Sequence, residues 1–237
     1  MKDEEPKILW HYTPASTLVY LQNWKEVLQG GDECLNFTAT YYATLNDSKE
    51  YEAMSNHPIC NEKEGFEKQY GSPFVVSLTE NEDSLLSWCM YGDRARGVAL
   101  GFDRKELINK MDLCTEPDTC NETKMYLLKC VYGSENPPGG GDFAKFAKDC
   151  VARKDSFFAD ENEWRIVMFK KECFFRPCSS GIVPCVEVKI PIECLAKIIV
   201  GKMASPLTRN AVKAWTEMSA KKAVHEIKVV GSSGSLQ

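Results

Sequence analysis

Short apolar runs rich in β-branched residues recur along this chain with little sequence between them, and that spacing constrains the fold more than any other feature. "PFVVSLTE" (73–80), "GVALGFD" (97–103), "EWRIVMF" (163–169), "IVPCVEVKI" (182–190) and "LAKIIVG" (195–201) each have the length and composition of a strand. Parallel neighbours need a crossover of roughly a dozen residues, usually a helix, whereas antiparallel neighbours can be joined by a short turn. Several links here are short or irregular, so the pattern predicts an α+β fold with a mainly antiparallel split sheet and flanking helices. The expected helices are 14–28, with Thr13 as N-cap, a short one in "NDSKEYEAM" capped by Asn46 or Asp47, one within 81–93 capped by Asp83 or Ser84, 104–112, 142–158 and 205–222. "KILWHYT", "CLNFTATYYATL" (34–45), "KMYLLKCVYG" (124–133) and "HEIKVV" (225–230) complete the strands. Residues 1–230 read as a single α+β domain, and "GSSGSLQ" (231–237) as a flexible tail or an expression remnant.

A net charge of −5 gives no broad cationic surface, which argues against general binding to phosphate backbones. The opening "MKDEEPK" lacks an apolar core, and no apolar run approaches the ~20 residues of a membrane span. A cytoplasmic location without membrane partners is therefore expected. The 11 cysteines form no C-x-x-C pair, and residues such as Cys89 and Cys194 sit in apolar sequence. They read as free thiols of a reducing compartment, and no metal site is expected.

Three places could carry chemistry. His11 stands where a strand meets a helix; it is either a hydrogen-bonded strand-end residue or an imidazole that holds a ligand hydroxyl. Tyr12, next to it, points to the opposite face. Ser77 and Thr79 lie two apart, so on a strand their hydroxyls share a face. In the helix that follows, Leu85, Leu86 and Cys89 read as core, while Trp88 and Tyr91 form an aromatic wall suited to a planar ring. Glu161 and Glu163 stand two apart at the mouth of a strand, where mutual repulsion is expected to raise one pKa. A solvated surface pair and a functional pair are both open readings. Asp47 and Glu50, with Glu161 and Glu163, could alternatively surround a divalent metal in a nuclease. The chain holds no P-loop, G-x-G-x-x-G, H-E-x-x-H or G-x-S-x-G motif.

Taken in order, "LWHYTPASTLVYL", "ATLNDSKEY", "FVVSLTENEDSLLSWCMYGDRARGVALGFD", "ENEWRIV" and "IIVG" resemble the bacterial family called domain of unknown function 2971, from about Leu9 to the final strand. A looser likeness is to ADP-ribosyltransferases. "LWH" is similar to the L-[FY]-H-G of their first strand, "SLT" to their S-T-S element and "ENE" to their E-x-E element. This sequence has Tyr12 in place of the glycine and Leu78 in the middle of S-T-S. The resemblance implies an ADP-ribosyltransferase-like fold, NAD as substrate, and an acceptor that is protein or nucleic acid, with a toxin or anti-phage role. It implies Glu163 as the catalytic carboxylate, Glu161 as the group that orients or deprotonates the acceptor, and His11 on a ribose hydroxyl. Tyr12, Ser77, Thr79, Trp88, Tyr91, Arg94 and Arg165 complete the NAD-binding set it implies. The other reading is a non-catalytic module that binds a nucleotide or a protein partner.

Overall fold

The computed structural model describes residues 5–21, 34–45, 71–115, 124–133, 150–178, 181–220 and 228–232. The described strands are β1 (Ile8–Thr13), β2 (Cys34–Tyr41), β3 (Ser72–Thr79), β4 (Val98–Asp103), β5 (Leu113–Cys114), β6 (Met125–Lys129), β7 (Val131–Tyr132), β8 (Arg153–Lys154), β9 (Glu163–Lys170), β10 (Phe174–Cys178), β11 (Gly181–Pro191), β12 (Leu195–Val200) and β13 (Lys228–Gly231). The described α-helices are α1 (Leu18–Leu21), α2 (Leu85–Met90), α3 (Arg104–Met111) and α4 (Pro206–Ala220). The class is mixed α/β, with strands predominating and most described pairings antiparallel. Among the described residues, no helix is long and apolar enough to cross a membrane.

The chain forms two compact units, and the division falls inside β2, β3 and β11. Unit 1 comprises Met1–Phe37, Leu78–Met111 and Lys189–Gln237. In it β4 lies antiparallel to both β1 and β12, and β12 pairs in parallel with β13. Alternation along β1 turns Trp10 and Tyr12 into a cluster with Trp88, Ala95, Ala99 and Ile199. The register sets Trp10 opposite Gly101. A Cβ at Gly101 would lie 2.6 Å from Cζ3 of the Trp10 ring, so the glycine makes room for the indole. Gly101→Ala should therefore cost about 1–3 kcal/mol by overpacking. Thermal denaturation checks this, and an unchanged melting temperature would mean that Trp10 moves aside freely.

Unit 2 comprises Thr38–Ser77 and Asp112–Val188. Here β9 lies antiparallel to β6 and also pairs with β3, while β6 is parallel to β5. The two-residue strands β7 and β8 form a separate parallel ladder. Val167 and Phe169 of β9 pack with Tyr42, Val75, Tyr126, Leu128 and the segment 150–152. The β10 strand "FFRPC", outside the strands expected from sequence, pairs antiparallel with β11.

Several local expectations are corrected. Thr13 does not cap a helix; its hydroxyl donates to Thr17 Oγ1 (2.8 Å), and a 3-10 turn over Ala15–Thr17 leads into α1. Residues 22–28 of that expected helix lie outside the described residues, as do Asn46, Asp47, Glu50, residues 142–149 and the final "SGSLQ" (233–237). The helical reading of 142–158 holds at Cys150 and Val151 and fails beyond them, where β8 is followed by a 3-10 turn at Ser156–Glu161. Asp155 caps that turn by accepting from Phe157 N (2.8 Å), which halts any helix running through it. Leu85, Leu86 and Cys89 are not core: Leu85 is 53% and Leu86 44% exposed, and Cys89 is exposed. The buried residues of α2 are Ser87 and Trp88. A six-residue helix offers too few turns for apolar spacing to identify its inner face.

Candidate functional site

In unit 1, His11 is half-buried and meets Phe37 edge-on at 5.1 Å, while Phe37 in turn meets Phe102 at 5.6 Å. Tyr12 faces the other way, as strand alternation requires, with its ring edge-on to Trp88 at 4.9 Å. The Tyr12 hydroxyl donates to Asn81 O (2.9 Å) and accepts from Ser84 N (2.9 Å). Burial pushes its pKa up to about 12, so this phenol holds a loop and stays protonated. Trp88 is 2% exposed and its indole N–H donates to Asp83 Oδ1 (2.7 Å), which also accepts from Ser232 Oγ. Tyr91 is half-buried at the margin of the same cluster. Thr79 is buried, and its hydroxyl accepts from Asn81 N (3.0 Å).

The segment after α2 has an uncommon backbone. Asp93, Arg94 and Ala95 have φ of 49°, 53° and 61°, three consecutive left-handed residues without a glycine. Each such residue costs roughly 1–2 kcal/mol. The turn is held by Ala95 N to Trp88 O (3.3 Å), Gly97 N to Gly92 O (3.0 Å) and Met203 N to Ala95 O (2.8 Å). A Cβ on Gly201 would come within 2.2 Å of that Ala95 oxygen, so only glycine fits beside it. The result buries Ala95 and exposes Arg94 and Arg96. Arg96 is paired with Asp93 (2.8 Å).

Unit 2 carries the densest chemistry. Ser77, an exposed residue of β3, belongs to this unit. Glu161 ends the 3-10 turn, Glu163 begins β9, and Asn162 between them is left-handed with φ 44°. The two acids therefore do not share a strand face, as the sequence suggested; the reversal at Asn162 brings both to one ammonium. Lys154 Nζ, from β8, pairs with Glu161 Oε2 and donates to Glu163 Oε2 (2.8 Å). Arg165 grips Glu163 from the other side, Nε to Oε1 (3.0 Å) and Nη2 to Oε2 (3.1 Å), while Nη1 donates to the Val151 carbonyl. Its guanidinium also lies 5.9 Å from the centre of the Tyr42 ring. Glu163 is 4% and Arg165 1% exposed.

The backbone of Glu163 is tied equally well: its N–H donates to the Tyr132 hydroxyl (2.7 Å), and its carbonyl accepts from Cys130 N (2.9 Å). Burial raises the Tyr132 pKa above the ordinary tyrosine range, so the hydroxyl stays protonated. Burial alone would also raise the pKa of Glu163. The charges and hydrogen bonds of Arg165, then of Lys154, outweigh it and bring the carboxyl from 4.5 down to about 2. The upward shift expected from carboxylate repulsion is thus absent at Glu163, because two cations stand beside it. Burial disfavours the charged form of Lys154, but Glu163 and Glu161 together hold it above the ordinary lysine range.

A group whose folded pKa is depressed adds stability that is complete above its unfolded pKa and vanishes as pH falls through the folded one. The melting temperature should accordingly decline as pH drops from about 4.5 to about 2. Glu163→Gln should flatten that limb, and a parallel decline in wild type and variant would place the titrating group elsewhere.

A carboxylate offers about four acceptor positions. Glu163 uses three, one on Oε1 and two on Oε2, so among the described residues Oε1 keeps one for a ligand hydroxyl or an incipient cation. Lys154 and Tyr132 were not anticipated from sequence: strands of two residues carry no periodicity, and "ARKDSFF" reads as helical. Cys194 is buried, its thiol pushed up to about 12 by that burial. No cluster of His, Cys, Asp and Glu suited to a metal occurs among the described residues.

No curated protein matches this chain. Among solved structures it is similar to Thermus sp. 2.9 DarT in complex with ADP-ribosylated ssDNA, at 11% identity and a TM-score of 0.35, over 96% of this chain and 95% of that one. A family model described as protein of unknown function (DUF2971) matches residues 87–166, a window that takes in α2 from Ser87 onward, the left-handed turn and the whole Lys154–Glu161–Glu163–Arg165 cluster. The resemblance to that family read from the sequence is thus shown over this window.

Proposed function

We propose that this chain is an ADP-ribosyltransferase-like enzyme, in fold and in activity, that takes NAD as substrate and passes ADP-ribose to a protein or nucleic-acid acceptor, as a toxin or anti-phage effector. The observation that carries the reading is Glu163, a buried carboxylate kept ionised by Arg165 and Lys154, with an acceptor position left on Oε1 among the described residues. Breaking the nicotinamide–ribose bond sends the bonding electrons to nicotinamide and leaves positive charge at C1′ of the sugar. A carboxylate that is already charged, already oriented and shielded from water stabilises that charge without reorganisation.

The acceptor nucleophile then bonds to C1′, and its proton goes to Glu161. His11 holds a ribose hydroxyl, and Ser77 and Thr79 steady the nicotinamide side. Of the two aromatic candidates, half-buried Tyr91 takes the ring face, because Trp88 is committed to Asp83 and the core; Tyr12 supports that wall from behind. Arg94, exposed on its left-handed turn, takes the pyrophosphate as a guanidinium fork. Arg165 is committed to Glu163 and Val151, so its part is to hold the carboxylate.

Incubating the full chain with NAD labelled in both halves should release nicotinamide and move the other label to water or an acceptor. Release that is undiminished in Glu163→Gln would remove the mechanism. Thermal stabilisation by NAD without release would instead establish a non-catalytic binding module.

A further inference from the structure

We propose that Lys154 is the positioning residue of the acid pair: a single ammonium draws Glu161 and Glu163 together across the left-handed Asn162 and fixes where their oxygens point. Its catalytic meaning rests on the function proposed above; its structural meaning does not. The groups that face Glu163 are Lys154 from β8, Arg165 from β9, the Tyr132 hydroxyl from β7 and, through the shared lysine, Glu161 from the 3-10 turn. Lys154 is bonded to both acids.

The residue type suits the task. An ammonium presents three donors in a tetrahedral arrangement, so it can serve two carboxylates that are not coplanar. A guanidinium presents a flat fork, which Arg165 applies to the two oxygens of Glu163. The placement is also fixed. The backbone of Lys154 is held by the β7–β8 ladder and by Gly133 N to Lys154 O (3.2 Å), and its Nζ lies 4.8 Å from the centre of the Phe158 ring. The same ladder carries Tyr132, which fixes the Glu163 N–H. One small sheet thus sets both the main chain and the side chain of Glu163. Without the ammonium, two converging carboxylates repel, and the turn through Asn162 has reason to open.

Lys154→Met keeps the length of the side chain and removes its charge. Carboxyl carbon NMR should show Glu163 titrating about one unit higher in this variant than in wild type. The kcat for nicotinamide release should fall on the order of 10²-fold from misplacement, with KM for NAD little changed, and Lys154→Arg should recover part of kcat. A Glu163 titration that stays in place in Lys154→Met overturns the proposal, as does a loss confined to KM. If Lys154→Met does not fold, the wild-type protein decides: the Lys154 Nζ resonance should shift as Glu163 is protonated, and a resonance that passes through that titration unmoved overturns the proposal. A Glu163 titration that moves in a protein releasing no nicotinamide sustains the positioning role and removes the transferase reading.

Discussion

Arg165→Met should destabilise the chain by about 3–5 kcal/mol, the cost of breaking a buried ion pair from one side. The substitution leaves a hydrophobic side chain of comparable length, so the loss is one of charge and hydrogen bonds more than of volume. Three bonds vanish together: both arms of the fork on Glu163 and the donor to the Val151 carbonyl. Val151 is fully buried, so its oxygen has no water to turn to. Glu163 keeps Lys154, which prevents complete isolation of its charge. Arg165→Lys should recover only part of the loss, since one ammonium cannot grip two carboxylate oxygens and reach Val151 as well. The urea midpoint measures this. A change below about 1 kcal/mol, the range of exposed pairs, would mean that water reaches the cluster.

Glu163→Gln should lower nicotinamide release by about 10²–10³-fold, the usual cost of losing one preorganised electrostatic stabiliser. Shape is nearly conserved, but the charge is gone and an amide NH2 now meets donors of Lys154 or Arg165. Two cations lose their shared counter-ion, so stability falls as well. Rates should therefore be compared at a temperature where circular dichroism shows the variant folded. A folded variant that releases nicotinamide at the wild-type rate would leave Glu163 with a structural role only.

How legible these features are in sequence depends on length and on turn geometry. β3, β4, β9 and β11 are plain because each carries a sustained apolar run, and α4 because its amphipathic pattern lasts for several turns. Glu161 and Glu163 are recognisable as a pair, yet for an inexact reason: strand alternation was expected to align them, and the left-handed Asn162 does so instead. Ser84 is readable as a cap and does accept from Ser87 N (3.3 Å). Lys154 is hidden because its partners stand seven and nine positions away and its strand has two residues. Leu85 and Leu86 mislead, since hydrophobicity alone does not say which side of a short helix faces inward.

The origin of the cluster changes what a pattern search should seek. A bare Glu-x-Glu is a common string and says nothing about charge state or orientation. Here the two acids work with a lysine nine positions before Glu163 and an arginine two positions after it, the string K-x6-E-x-E-x-R from Lys154 to Arg165. Distant chains that keep this longer fingerprint would preserve the whole electrostatic unit, and those that keep only the acids would have to hold them by other means.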